Sequence, residues 1–455
     1  MLRLYDTQQR AKVDFVPSRE GRVAMYVCGP TPYDAPHLGH GRQAVVFDMV
    51  CRLLRFRGYD VMYVSNVTDI EDKIIERAHE RNITEAELVK IYEDDYWNQM
   101  DRLNVLRPDE LPHATEFIEP MLELISELVA AGRAYVVEGQ GVYFEVATLP
   151  EYGKLSHRTL EDQMEGAGAR VAVDERKRDA RDFVLWKAAK PGEPKWESPW
   201  GPGRPGWHIE CSAMSLRILG PGFDIHGGGT DLVFPHHENE IAQAEGAGYE
   251  FAHYWMHNAM VNVGGVKMSK SLGNFTTLAD VFERCDPRAF RLNLLQTHYR
   301  RQMEVHDKEL DDAQKAGERL DNVVRRARGS GVTTGEVPPE DLADFVAAVD
   351  DDFDMPAAIA VVFEAARDAN TAFDEGRPAD AVRLVAAVRA MCDALGIELY
   401  DEVAELDDDV AALVTRREEA RAAKEWAEAD RIRDELLERG IVLEDTPSGT
   451  VWRQS

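Results

Sequence analysis

RVAMYVCGPTPYDAPHLGHGRQAVVFDMVCRLLRFRGYDVMYVSNVTD, residues 22–69, decides the fold. Its opening run, Arg22 to Cys28, is short, apolar and partly β-branched, then breaks into a loop loaded with Gly and Pro, which reads as strand and then loop. From Gln43 the apolar residues of AVVFDMVCRLLRFRG recur three and four apart and stop at Gly58, as in a helix with its terminator. YDVMYVSNVTD reads as a second strand, and a further helix starts behind Thr68 or Asp69 with EDKIIERAHE. Strand, helix and strand in that order imply a parallel βαβ unit. Ligands of such sheets bind at the carboxyl ends of the strands, where Cys28 and Asn66 to Thr68 fall.

Working outward, the stretch from about Arg107 to Lys195 is interrupted by Pro and Gly, contains the GAGAR tract (Gly166 to Arg170), and reads as an insertion between two halves of the sheet. A second α/β stretch runs from Pro205 to about Thr277, with FDIHGGGTD and YWMHNAMVNV as strand-like pieces. From Pro287 the pattern turns helical. A linker at Gly329 to Glu340 precedes two helical stretches ending at Leu395, and the final tract gives a helix capped at Gly440 and a short hairpin-like end.

A chain of 455 residues exceeds one hydrophobic core and predicts two to four domains. With 44% hydrophobic and 30% charged residues it reads as soluble and globular. The N-terminal MLRLYDTQQRAKVDF has no apolar core of signal-peptide length, and no long uncharged apolar window occurs, so the cytoplasm is expected and a membrane partner is not. Five scattered cysteines (Cys28, Cys51, Cys211, Cys285, Cys392) do not make a secreted disulfide framework; free thiols or metal ligands fit better. The net charge of -30 counts against a polyanionic partner, but Asp341 to Val410 alone holds 19 acidic and 4 basic residues, half of that charge. Thr415 to Ser455 is more balanced, with 8 basic and 10 acidic residues, and leaves room for basic stripes.

In PYDAPHLGHGR, His37 and His40 flank Leu38 and Gly39 where loop passes into helix. A helix N-terminus offers free N–H groups and partial positive charge to phosphate, two imidazoles add donors, and Gly39 lets a nucleotide base approach the backbone. The same residues also read as a histidine-capped turn. Far downstream VGGVKMSKSLGN places Lys267 and Lys270 on a Gly-preceded loop, where two ammonium groups can stabilise charge moving toward pyrophosphate. Full KMSKS is a far more specific string than HxGH. The pair in this order resembles the signatures of class I aminoacyl-tRNA synthetases, with His-Leu-Gly-His standing where His-Ile-Gly-His is commonest.

Cys28 ends the first strand, Cys211 follows WHIE, and a helix after Pro235 puts His236 and Glu240 one turn apart on one face. Two thiolates, an imidazole and a carboxylate can form a zinc site, although the spacing is too dispersed to diagnose one. His226, His237 and Glu238 are competing ligands close in sequence, and Cys211 also reads as a buried thiol.

YVCGPTPYD, NVTDIEDK, GRPGWHIECSAM, FDIHGGGTDLVFPHHENEIAQ and KMSKSLGN, with KRDARDFVLWK and the ending LEDTPSGTVWR, resemble cysteinyl-tRNA synthetase blocks in family order over essentially the whole chain. The resemblance implies an α/β fold in which a Rossmann-like parallel-sheet catalytic domain is split by an insertion and followed by an α-helical bundle and a small anticodon-binding domain. The corresponding boundaries are 1–110 and 196–300 for the catalytic halves, 111–195 for the connective insertion, 301–400 for the bundle and 401–455 for the tail.

The same resemblance implies one zinc on Cys28, Cys211, His236 and Glu240, binding the substrate thiol directly. It implies that Thr68, Trp207 and Asp231 hold cysteine, that His37, His40, Lys267 and Lys270 are catalytic, and that Gly39, His40 and Lys270 contact ATP. His208, His226 and His257 are expected around the adenylate, and Trp452 and Arg453 in anticodon reading, although Trp207 and Trp452 also read as core aromatics. Partners would be tRNA(Cys), cysteine and ATP with Mg²⁺, acting on a monomer. The nearest rival is a cysteine:glucosaminyl-inositol ligase of mycothiol biosynthesis, which makes the same adenylate but lacks the full anticodon-reading tail. A methionyl synthetase would carry a compact cysteine cluster that is missing here.

Overall fold

The computed structural model describes residues 1–159, 162, 177–263, 266–267, 276–331, 337–401, 408–438, 441–446 and 449–454. A hairpin of β1 (Arg3–Asp6) and β2 (Ala11–Asp14) precedes β3 (Arg22–Val27), helix α1 (Leu38–Phe56) and β4 (Asp60–Ser65). After α2 (Asp72–Arg81), α3 (Glu85–Arg102) and α4 (Ile118–Ala130) comes an antiparallel sheet of β5 (Ala134–Val137), β6 (Gly141–Phe144), β7 (Phe183–Ala188) and β8 (Gly203–Pro205), whose last strand lies beyond the boundary at 195 expected for the insertion. The chain returns through α5 (Trp207–Leu219), β9 (Ile225–Gly229), α6 (Glu238–Gly246) and β10 (Tyr254–Asn258).

The central sheet has the spatial order β10-β9-β3-β4, with every pair parallel. The chain therefore leaves β3 toward β4 on one side and later re-enters on the other, which opens a crevice beyond the carboxyl ends of β3 and β9. Alternation along β3 explains why the sheet is buried on both faces. Val23, Met25 and Val27 join a core with α1 and the helical region, while Tyr26 and Cys28 join a second core with α4, α5 and the insertion. Helix α1 can lie close because β9 is glycine-rich: a Cβ at Gly227 would sit 2.3 Å from the Phe47 ring.

Next come β11 (Val261–Val263), β12 (Val266–Lys267), α7 (Leu278–Phe282), α8 (Pro287–Leu295), β13 (Met303–Glu304) and the long α9 (Asp307–Gly329). Up to Leu395 the structure has three further helices where the sequence suggests two: α10 (Ala343–Asp350), α11 (Met355–Asp374) and α12 (Pro378–Ala394). The extra break falls at Asp352 and Phe353, whose φ of 65° and 51° cannot continue a helix. The tail likewise holds two helices, α13 (Asp408–Ala422) and α14 (Trp426–Glu438), parted at Lys424 with φ 62°, before the hairpin of β14 (Ile441–Thr446) and β15 (Gly449–Gln454). Val410, Val414, Ile432 and Leu436 give this tail a small core of its own. The GAGAR tract and the cap at Gly440 lie outside the described residues.

Helix α2 begins at Asp72, capped by Glu71, and not directly behind Thr68 or Asp69. Both candidate caps are engaged elsewhere. The Thr68 hydroxyl donates to Glu210 at 2.9 Å, and the Asp69 carboxylate accepts from the backbone and hydroxyl of Thr115. Among the described residues no helix is long and apolar enough to cross a membrane.

Candidate active site

Helix α1 starts inside the His-Leu-Gly-His signature. His37 is its N-cap: Nδ1 accepts from the backbone of Gly39 at 3.0 Å and His40 at 3.4 Å, while the backbone N–H of His37 donates to Nδ1 of His40 at 3.2 Å. The two rings stack with centroids 3.8 Å apart. Because a backbone N–H can only donate, the proton of each neutral ring must sit on Nε2. Burial and the neighbouring His37 hold the His40 pKa well below the ordinary value, so this ring is a neutral donor at physiological pH. The turn is thus histidine-capped, with Nδ1 of each ring holding it and Nε2 left to carry the donor proton.

This turn forms one wall of a cleft of about 260 Å³ at the carboxyl ends of the strands. His37, Gly39, His40, Trp207 and Asp231 line it, joined by Tyr33, Arg42, Gln43, Lys73 and Tyr96, which the sequence reading had not singled out. Gln43 was legible in principle, since it lies one turn after His40 on the same helix; its amide donates to the carbonyl of Cys28 at 2.6 Å. Thr68 is buried beneath the wall and is not among the lining residues. Backbone register puts Lys267 on β12 opposite Asn262, whereas Lys270 lies outside the described residues. Trp452 and Arg453 belong to β15.

Below the cleft, Cys28, Cys211, His236 and Glu240 converge, with all four donor atoms within 4.8 Å of one another and no residue more than 4% exposed. The sulfurs are 3.7 Å apart, Cys28 Sγ is 3.6 Å from Glu240 Oε1, and that oxygen is 3.1 Å from His236 Nε2. Four tetrahedral ligands at ordinary zinc–sulfur lengths would place their sulfurs about 3.8 Å apart. Among the described residues buried His236 Nε2 makes no hydrogen bond, its approach to Glu240 being a contact of two donor atoms without hydrogen-bond geometry. Burial lowers the His236 pKa far below normal and pushes both thiols up, so the imidazole offers a lone pair and the thiols would shed protons to a cation. The donor set fits a metal ion.

The donor atoms of Cys28, His226, His237 and Glu240 likewise lie within 4.8 Å of one another. His237 Nε2 lies 3.3 Å from Cys28 Sγ and His226 Nε2 lies 2.7 Å from Glu240 Oε2. None of His208, His226 and His257, expected around the adenylate, is among the residues that line the cleft. His208 Nδ1 meets His236 Nδ1 at 2.8 Å, His226 stacks on Trp255, and His257 joins His237 at 2.8 Å and Thr7 at 2.7 Å. They brace the donor cluster, and burial drives the His257 pKa down to about 3, so that ring stays neutral. Trp207 bridges both halves of the site, since it lines the cleft and stacks on His236 with centroids 4.1 Å apart.

Comparison with known proteins places these features in a family. Residues 14–315 match the class I (C) tRNA synthetase catalytic domain, residues 344–400 the DALR domain, and residues 403–453 the cysteinyl-tRNA ligase anticodon binding domain. The chain is 50% identical to a cysteine–tRNA ligase of Methylobacillus flagellatus and 47% identical to one of Symbiobacterium thermophilum, each alignment covering 100% of both proteins. Its fold is similar to that of Mycobacterium tuberculosis methionyl-tRNA synthetase in complex with methionyl-adenylate, with a TM-score of 0.60 at 18% identity over 82% of this chain and 89% of the other.

Proposed function

We infer, because the chain belongs to the cysteine–tRNA ligase family, that it activates cysteine with ATP to cysteinyl-AMP and passes the cysteinyl group to tRNA(Cys). It is a ligase enzyme of class I type. The observation that carries the reading is a likeness running from end to end, with catalytic, DALR and anticodon-binding segments in one chain. The amino-sugar ligase is not favoured, because residues 403–453 match an anticodon-binding domain that such an acceptor does not require.

The cysteine carboxylate attacks the α-phosphorus of ATP, and pyrophosphate leaves with Mg²⁺. His37 and His40 point Nε2–H donors at the charge that grows on the transferring phosphate, and Lys267 and Lys270 balance the departing pyrophosphate. Gly39 and His40 border the nucleotide, and family likeness assigns Lys270 to the same ligand. Asp231 and Trp207, which line the cleft, take the substrate ammonium and form a wall, and Thr68, buried against Glu210, supports cysteine from outside the lining. No covalent enzyme intermediate is needed; positioning and charge do the work. A terminal 2′ hydroxyl of the tRNA then takes the acyl group, with Trp452 and Arg453 contributing to anticodon reading.

Cys28, Cys211, His236 and Glu240 would hold a zinc ion. When bound, that ion would supply a soft seat that accepts the thiolate of cysteine and disfavours the hydroxyl of serine, a larger distinction than shape alone gives. The enzyme acts in the cytoplasm as a monomer. The test is pyrophosphate exchange with cysteine and with serine, before and after metal removal, followed by transfer to tRNA or to an amino sugar. Cysteine-only, zinc-dependent exchange with transfer to tRNA is expected; transfer to the sugar alone, or no cysteine exchange in the zinc-loaded protein, would refute the assignment.

A further inference from the structure

Arg42 follows the histidine signature on α1 and is 1% exposed. Among the described residues its guanidinium has no carboxylate as a hydrogen-bond acceptor; its acceptors there are backbone carbonyls. Nη1 donates to Met260 at 3.0 Å, and Nη2 donates to Tyr299 at 3.3 Å and, more closely, to Arg301. A planar fork can join two strands of carbonyls in this way; a single ammonium cannot.

The two segments it joins form the root of the hairpin that carries Lys267. Ala259 N–H donates to the Tyr299 carbonyl at 2.8 Å, Val261 pairs with Met303, and Asn262 pairs with both Glu304 and Lys267. The far end of the same connection also returns to α1. Leu278 N–H donates to the Pro36 carbonyl at 2.9 Å, and Thr277 bridges to His37. The described residues on either side of the basic stretch are thus tied to α1 or to its cap, and Arg42 supplies the tie on the Lys267 side. From the opposite side, Arg300 grips the buried Asp352 at 2.8 Å and holds the same carbonyl-bearing loop against the helical region.

We propose that Arg42 is a positioning residue for adenylate formation, fixing the root of the β11–β12 hairpin, and Lys267 with it, to the helix that carries His37 and His40. The proposal rests on the ligase reading. It predicts a selective defect, because the hairpin serves the triphosphate while cysteine is held by other elements. In R42K, the kcat of cysteine-dependent pyrophosphate exchange, normalised to active sites by the adenylate burst, falls on the order of 10²-fold. The KM for ATP rises several-fold and the KM for cysteine stays within twofold.

R42K that melts cooperatively and keeps kcat and ATP KM within twofold of wild type overturns the proposal. A cysteine KM that climbs in step with that of ATP overturns it too, because that pattern marks general damage. Should R42K not fold, R300Q decides: the same selective shift at smaller size supports the proposal, and unchanged ATP parameters refute it. Wild-type enzyme without cysteine-dependent exchange would overturn the ligase reading itself, and this proposal with it.

Discussion

His37 and His40 cap one another within a single half-buried turn, whereas Cys28, Cys211, His236 and Glu240 come from three separate stretches of chain and are almost wholly buried. The turn needs little beyond its own residues and the start of α1. The cluster needs β3, α5 and α6 to be docked correctly, and it has no use for water. Under the function proposed above, the difference divides the labour of the site: the turn, the end assigned to the nucleotide, is a local device, and the cluster, the end assigned to the amino acid, is a product of the complete fold. Each should therefore fail without taking the other with it.

Cys211→Ala is the severest test of that separation. The variant should lose its bound metal, measured by elemental analysis, and its cysteine-dependent exchange should drop to background, while equilibrium ATP binding stays within twofold. A variant that also loses ATP would show that the two ends are one unit. His40→Ala probes the reverse: kcat should fall on the order of 10²- to 10³-fold, the cost of one preorganised donor, with metal content and cysteine KM unchanged.

Gly227→Ala strikes the ground the two ends share. The added methyl would press on Phe47 of α1 and on β9 together, so thermal or denaturant unfolding should report a loss of about 1 to 3 kcal/mol, and both substrate KM values should shift. Glu93→Gln touches neither end. Its hydrogen bond at 3.0 Å, ahead of the other causes, raises the His113 pKa above the ordinary 6.5. A raised imidazole pKa contributes stability that is full below the unfolded value and is lost as pH climbs through the folded one. The variant should thus be less stable than wild type at pH 6, by less than about 1 kcal/mol for a partly exposed pair, and equal to it at pH 9. A deficit that persists at pH 9 would assign the pair a packing role instead.

The same contrast governs what could be read in advance. The βαβ core and the signature turn are legible because period, loop chemistry and motif all lie within one stretch, residues 22–69. The cluster is not, since local spacing cannot choose between His236 and His237, neighbours that both come within reach of Glu240 at 3.1 Å and 4.0 Å. Family likeness, and not pattern, made that choice. Helix starts were misplaced where a capping residue had a tertiary engagement: Thr68 and Asp69 look like caps in sequence but spend their hydrogen bonds on Glu210 and Thr115. The breaks at Asp352 and Lys424 were missed because neither is glycine or proline, the residues that usually announce such a turn. Arg42 was invisible for another reason: its partners are backbone carbonyls, which have no letter in the sequence.

The strand order has a consequence in time. β3 lies between β4, its neighbour in the chain, and β9, which is synthesised only after the whole insertion. Cys28 therefore emerges from the ribosome long before Glu240 can meet it, by roughly 10 to 40 s at ordinary elongation rates. For that interval an ionisable thiol waits beside an unfinished sheet, exposed to oxidants and to any metal in reach. The antiparallel sheet that lies between Cys28 and Glu240 in sequence can form meanwhile, whereas the four donor groups cannot meet until Glu240 has emerged. Nascent chains arrested before Glu240 should accordingly react with thiol reagents at Cys28, and released full-length protein should not.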